Sequence, residues 1–142
     1  MSAQQQEKSL AVAATYAAVL AAASNSILYV IAYASGIIPW NMLSPGRGVS
    51  ITPRLVVLVS IGGALGGALL FSLTRRLSSD PVGKFRRLAL LALIVSFVAP
   101  FSVGTFTAPL MVALDLMHVV VYVCTVWALT VWARPREVRA SA

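Results

Sequence analysis

From Leu88 to Ala133 the chain runs 46 residues with only one acid, Asp115, and one histidine, His118, to interrupt its apolar character. About 20 apolar residues carry a helix across a bilayer, so this stretch is too long for one crossing and long enough for two. Pro100, Ser102, Gly104, Thr105 and Pro109 mark the reversal between them. A segment immersed in lipid must satisfy its own backbone groups, which leaves helices and closed barrels. Barrel strands need alternating apolar and polar residues, and no such alternation is present.

Two further apolar runs precede this stretch. Ser9 to Ala34 is uncharged and rich in alanine, and Leu55 to Leu73 carries leucine, valine and glycine. The tripeptide Ala32-Tyr33-Ala34 resembles a signal-peptide cleavage site. However, the run before it far exceeds the ~7–15 residues of such a segment, and Glu7 offsets Lys8, so a retained helix is expected. Between the first two runs, Pro39, Pro45, Gly46, Gly48 and Pro53 punctuate a loop in which Trp40 suits the membrane–water interface. Tyr33 and Trp132 are expected to be interfacial anchors too, and Pro135 follows the last run as a helix stop.

The expected architecture is therefore all-α: an integral membrane, antiparallel four-helix transmembrane bundle. Its spans fall at about 9–34, 54–74, 84–102 and 108–133, within a membrane domain of residues 9–134. A flexible cytoplasmic N-terminus (1–8) and a cytoplasmic tail (135–142) flank it. Composition agrees, since 59% of the 142 residues are hydrophobic and only 11% charged, against roughly a half and a quarter in soluble domains.

The net charge of +7 is carried mostly beside the apolar runs and forms no stripe with interleaved aromatics. It reads as an orientation signal and as contacts for anionic lipid, not as a nucleic-acid surface. Arg75, Arg76, Lys84, Arg86 and Arg87 lie between spans two and three, and Arg134, Arg136 and Arg139 follow span four. Arg47 and Arg54 alone lie on the other side. Short basic loops stay in the cytoplasm, so both termini are expected there. The single cysteine, Cys124, has no thiol partner for a disulfide or a metal site and reads as a small buried hydrophobe.

Candidate chemistry lies in span four. Asp115 is the only acid within a span, and His118 stands three residues on, hence on the same helical face. Tyr122, Thr125 and Leu129 continue that face. Counting ~1.5 Å per residue from the outer end places Asp115 at ~9 Å and His118 at ~14 Å depth, near mid-bilayer. A carboxylate there costs at least ~2.5 kcal/mol if bare, so protein or water should shelter it. The functional reading is a proton or cation site. The plainer one is hydrogen-bonded glue between helices, at ~0.6 kcal/mol per bond. Asn25 falls at a similar depth and is expected to bond across the bundle, with His118 or Asp115 as candidate partners, as is Ser96 for Asp115.

Span two reads Ser60-Ile61-Gly62-Gly63-Ala64-Leu65-Gly66-Gly67-Ala68. Gly62/Gly66 and Gly63/Gly67 are overlapping small-xxx-small pairs that let another helix approach closely, either within one chain or between copies.

The four spans, the Pro- and Gly-bearing first loop, the Gly-rich second span and the element Leu116-Met117-His118-Val119-Val120 resemble a family of short bacterial membrane proteins of unknown function. The likeness covers roughly residues 10–134, and Asp115 stands outside it. It implies a four-helix protein of the bacterial plasma membrane and adds interest to His118, without any activity, cofactor or partner.

Three functions fit these residues. One is a homo-oligomeric transporter or channel using Asp115, His118, Asn25 and Tyr122. Another is an accessory subunit of a larger membrane complex. The third is a protein that binds haem or a lipid-like quinone, although one histidine would require two subunits for bis-histidine ligation. No nucleophile is placed for catalysis, so the reading leans away from an enzyme, and no metal site is expected.

Overall fold

The computed structural model describes residues 3–38, 43–44, 49–98 and 107–132. They form four helices: α1 (Ala3–Ala34), α2 (Pro53–Leu77), α3 (Pro81–Ser96) and α4 (Ala108–Trp132). A short antiparallel pair, β1 (Leu43–Ser44) and β2 (Val49–Ser50), sits between α1 and α2 with Leu43 opposite Ser50. Trp40, the prolines and glycines at 39 and 45–48, the reversal residues 100–105 and the tail from Arg134 lie outside the described residues.

Local chemistry sets the helix ends. Gly36, with φ of 71°, follows the last turn of α1, and the Ile37 N–H donates to Ala32 O at 2.9 Å. This left-handed helix termination is one that a residue with a Cβ resists. Thr52 caps α2 by accepting from Leu55 N–H, and Asp80 caps α3 by accepting from Gly83 N–H. In each case proline occupies the first helical position, where no N–H is needed. Arg75 and Arg76 stand in the last turn of α2, where positive charge suits the helix dipole.

The packing is the inverse of a soluble protein's. Ala13, Ala14, Ala17, Ala18 and Ala21 form the buried stripe of α1, while Val19, Ile27, Val30 and Ile31 face outward, each more than half exposed. On α2, Ala64 and Ala68 are inside while Leu58, Leu65 and Leu69 are outside. Water would penalise that exchange at about 25 cal/mol per Å² of apolar surface, whereas lipid does not. Three stretches, Lys8–Ala34, Pro53–Leu77 and Ala108–Val131, are long and apolar enough to cross a membrane. α3 has 16 described residues, ~24 Å at 1.5 Å each; the remainder of the expected third span, 99–102, lies outside the described residues.

α1 packs along both α2 and α4. Three apolar clusters stack along the bundle. One joins Ala13 and Ala14 to Ala68, Phe71, Phe85 and Leu129. The middle one contains Ala17, Ala18, Ala64 and Ala128. The third joins Tyr29, Ala32 and Ile38 to Val56, Leu110 and Met117. Phe85 is the sole fully buried residue of α3. Its ring meets Phe71 edge-on at 4.9 Å, and the Arg75 guanidinium lies over the Phe71 ring, 5.9 Å from its centroid.

Candidate functional site

The residues of α4 divide between two surfaces. Leu110, Met117, Cys124 and Ala128 are buried, and Leu110, Met117 and Ala128 belong to clusters shared with α1. His118, Val121, Tyr122, Thr125 and Val126 recur at helical spacing on the side toward α2 and α3. There they line a cavity of about 310 Å³, completed by Val59, Gly63, Gly66, Gly67 and Leu70 of α2 and by Ala89, Ala92, Leu93 and Ser96 of α3. No lysine, arginine, aspartate or glutamate is among these residues.

His118 is half-buried, and its Nδ1 lies 2.8 Å from Leu114 O. A carbonyl can only accept, so Nδ1 carries the proton in that contact and Nε2 is left to interact with other groups. Asp115, one turn earlier, is half-buried with Oδ1 enclosed and without a hydrogen-bond partner among the described residues. Asp115 is not part of the cavity lining. Ser96 lines the cavity, and its hydroxyl donates to Leu93 O at 2.7 Å rather than to Asp115. Thr125 is 4% exposed, and its Oγ1 is enclosed without a partner among the described residues.

Asn25 lies elsewhere. Its Nδ2 donates to Ser60 Oγ at 2.9 Å and to Met117 O at 3.1 Å, while Ser60 donates in turn to Val56 O at 2.7 Å. Asn25 thus joins α1 to α2 and α4 at the centre of the bundle instead of reaching the His118 side of α4. Its Oδ1 is also enclosed and has no partner among the described residues. Tyr29, one turn on, donates to Ile51 O at 3.2 Å and stacks against Tyr33 with centroids 6.3 Å apart. Ser60 had no signal in sequence beyond being a small residue; its role follows from the register of α1 against α2.

The glycines of α2 have two distinct environments. A Cβ on Gly63 would sit 2.9 Å from Val121 Cγ1, and one on Gly67 would collide with Thr125 Cγ2. Among the described residues, a Cβ on Gly62 or Gly66 would have no atom within 4 Å. The Gly63/Gly67 pair is therefore where α4 approaches, and the Gly62/Gly66 pair is open. Among the described residues no three His, Cys, Asp or Glu side chains gather as metal ligands.

Together these features define the class: a small all-α membrane protein with four helices, three of them long and apolar enough to span, and a polar patch within the apolar region of the fourth. The chain belongs to the family described as "Family of unknown function (DUF6069)", which it matches over residues 5–136, in keeping with the resemblance seen in its sequence. No curated protein matches the chain. No solved structure matches it either.

Proposed function

We propose that this protein is an antiparallel four-span bundle of the bacterial plasma membrane, with both termini in the cytoplasm. In this reading it acts as a homo-oligomeric transporter or channel with Asp115 and His118 as its protonatable site. Opposed helix directions are supported by the clusters, in which the N-terminal half of α1 meets Ala68 and Leu129 and its C-terminal half meets Val56 and Leu110. The inward termini rest on the five basic residues that flank the α2–α3 connection, Arg75 and Arg76 at the end of α2 and Lys84, Arg86 and Arg87 at the start of α3. Reporter fusions at the two ends test this, and opposite locations would refute it.

One observation carries the transport reading: on a helix apolar enough to span, the enclosed Asp115 Oδ1 has no hydrogen-bond partner among the described residues. A carboxylate held this way needs a proton, a cation or a neighbouring chain to offset at least ~2.5 kcal/mol. His118, three residues on with Nε2 uncommitted, is the adjacent group able to exchange a proton. Purified protein in liposomes containing a pH-reporting dye should conduct protons or couple them to a co-transported ion. The Asp115→Asn/His118→Ala variant should lose that flux while keeping its helical content. Equal flux from both proteins removes these residues from the mechanism.

A second reading, an accessory subunit of a larger complex, is favoured by the open Gly62/Gly66 face. It predicts that Gly62→Leu abolishes co-purification of a partner chain; an unchanged association would dismiss it.

A further inference from the structure

We propose that the cavity between α2, α3 and α4 is a binding slot for a neutral lipid-phase amphiphile, with a hydroxyl head at His118 and Ser96 and a hydrocarbon body running toward Phe85. The proposal goes beyond the transport reading and depends on neither Asp115 nor oligomerisation.

The shape of the slot follows from the helix register. Phe71, Phe85 and Leu129 meet in one cluster, which fixes one level in all three helices. Counting from that level, Val59 is 12 residues away on α2, Ser96 is 11 away on α3, and His118 is 11 away on α4. At ~1.5 Å per residue these three stand together, ~17 Å from the cluster. Leu70, Ala89 and Val126 lie within four residues of it. The slot is thus elongated, with His118 and Ser96 at one end, Tyr122 and Thr125 along its α4 wall, and aliphatic side chains making up the rest. Its volume of about 310 Å³ is at the lower end of the ~300–1,000 Å³ typical of small-molecule sites.

The lining selects the head group. With no charged side chain along the slot, an ionised head would be buried without a counter-charge, which apolar surroundings penalise heavily. At the His118 end, Nδ1 donates to Leu114 O, so in the Nδ1–H tautomer Nε2 is the accepting atom. The Ser96 proton is committed to Leu93 O, leaving that oxygen as an acceptor as well. Two acceptors call for a donor. A hydroxyl donates, whereas an ether or ester oxygen does not. Entry is sideways from lipid: Val59 lines the slot yet is 56% exposed, and its helical neighbours Gly62, Gly63 and Gly66 are exposed beside it.

The test uses the full chain in phosphatidylcholine vesicles and a photoactivatable hexadecanol, with labelled peptides mapped by mass spectrometry. Saturable labelling is expected on the slot-facing segments of α2, α3 and α4. Unlabelled hexadecanol should displace the probe at least about tenfold better than its methyl ether or palmitate. Displacement by a monoacylglycerol but not by hexadecanol would identify the acylglycerol as the source of the same hydroxyl chemistry. Ala92→Trp, at an exposed position that lines the slot, should abolish saturable labelling, and Gly66→Leu should do the same from the α2 side. His118→Ala should weaken binding by about tenfold, the fold-change of one lost hydrogen bond. Non-saturable labelling spread evenly over the lipid-facing surface, labelling that survives both filling variants, or equal competition by the methyl ether would each overturn the proposal. Labelling without proton flux, or flux without labelling, separates this proposal from the transport reading.

Discussion

Adding one methyl group to Gly67 and, separately, to Gly66 measures how closely α2 and α4 approach. Both are interior positions of the same helix, one residue apart. Each Gly→Ala change gains about 0.5–1 kcal/mol from helix propensity, and that gain cancels when the two variants are compared. What remains is contact. At Gly66 the new Cβ has no atom within 4 Å, whereas at Gly67 it runs into Thr125 Cγ2. Forcing a methyl into such a packed contact costs about 1–3 kcal/mol. Gly67→Ala should therefore be less stable than Gly66→Ala by roughly 2 kcal/mol, about thirtyfold in the folding equilibrium.

The clash has one named atom, and it can be removed. Thr125→Ser deletes Cγ2 and keeps the hydroxyl, so the new methyl would next meet Cβ of residue 125 at 3.7 Å, an ordinary contact. In a double-mutant cycle, Thr125→Ser should restore most of what Gly67→Ala loses and do nothing for Gly66→Ala. Unfolding in mixed detergent micelles, followed by circular dichroism, supplies the free energies. Gly67→Ala matching Gly66→Ala within about 0.5 kcal/mol, the usual additivity error, would refute the close approach. So would a failure of Thr125→Ser to rescue.

Two further outcomes follow from contacts on other helices. Asn25→Ala removes the hydrogen bonds to Ser60 and Met117 O and should cost about 1–2 kcal/mol in the same assay. Asn25→Asp should cost more, because a carboxylate oxygen would then face the Met117 carbonyl; an aspartate variant as stable as wild type contradicts the assigned bonds. Phe85→Ala deletes the one fully buried side chain of α3 and should destabilise by about 3–5 kcal/mol. Limited proteolysis should then cut the α2–α3 connection faster than α1, and an unchanged digestion pattern counts against Phe85 as the attachment.

The helices and their suitability for lipid are legible in the sequence because both depend on composition over long windows. Long runs with at most one acid in their interior, bounded by proline, glycine and arginine, leave few alternatives for three of the four helices. Pairings between helices depend on something else, the rotation and register of each one. Asn25, His118 and Asp115 share a depth, and depth alone cannot say which faces meet. Asn25 lies on the face of α1 that reaches the Met117 backbone, about 100° around α4 from His118. The two glycine pairs pose the same problem, since Gly62/Gly66 and Gly63/Gly67 are equivalent as a pattern and differ only in which one α4 lies against. The cavity is a step further removed, being a property of three helices at once.

Its origin can nevertheless be traced to side-chain size. Close approach in lipid comes from small residues on facing surfaces, and α1 meets α2 and α4 through an alanine stripe along much of its length. α3 meets its neighbours differently. At one end two large rings, Phe85 and Phe71, occupy the interface with centroids 4.9 Å apart. Beyond them small residues supply most of the facing surface, Ala89, Ala92 and Ser96 on α3 and Gly63, Gly66 and Gly67 on α2, with Leu93, Leu70 and Val59 as the larger members. Aromatic contact at one end sets a separation that alanine, serine and glycine are too short to fill further along, so the space between them stays open. A small-residue face that would ordinarily draw two helices together here becomes the wall of a slot, and His118 is the imidazole that α4 presents to it.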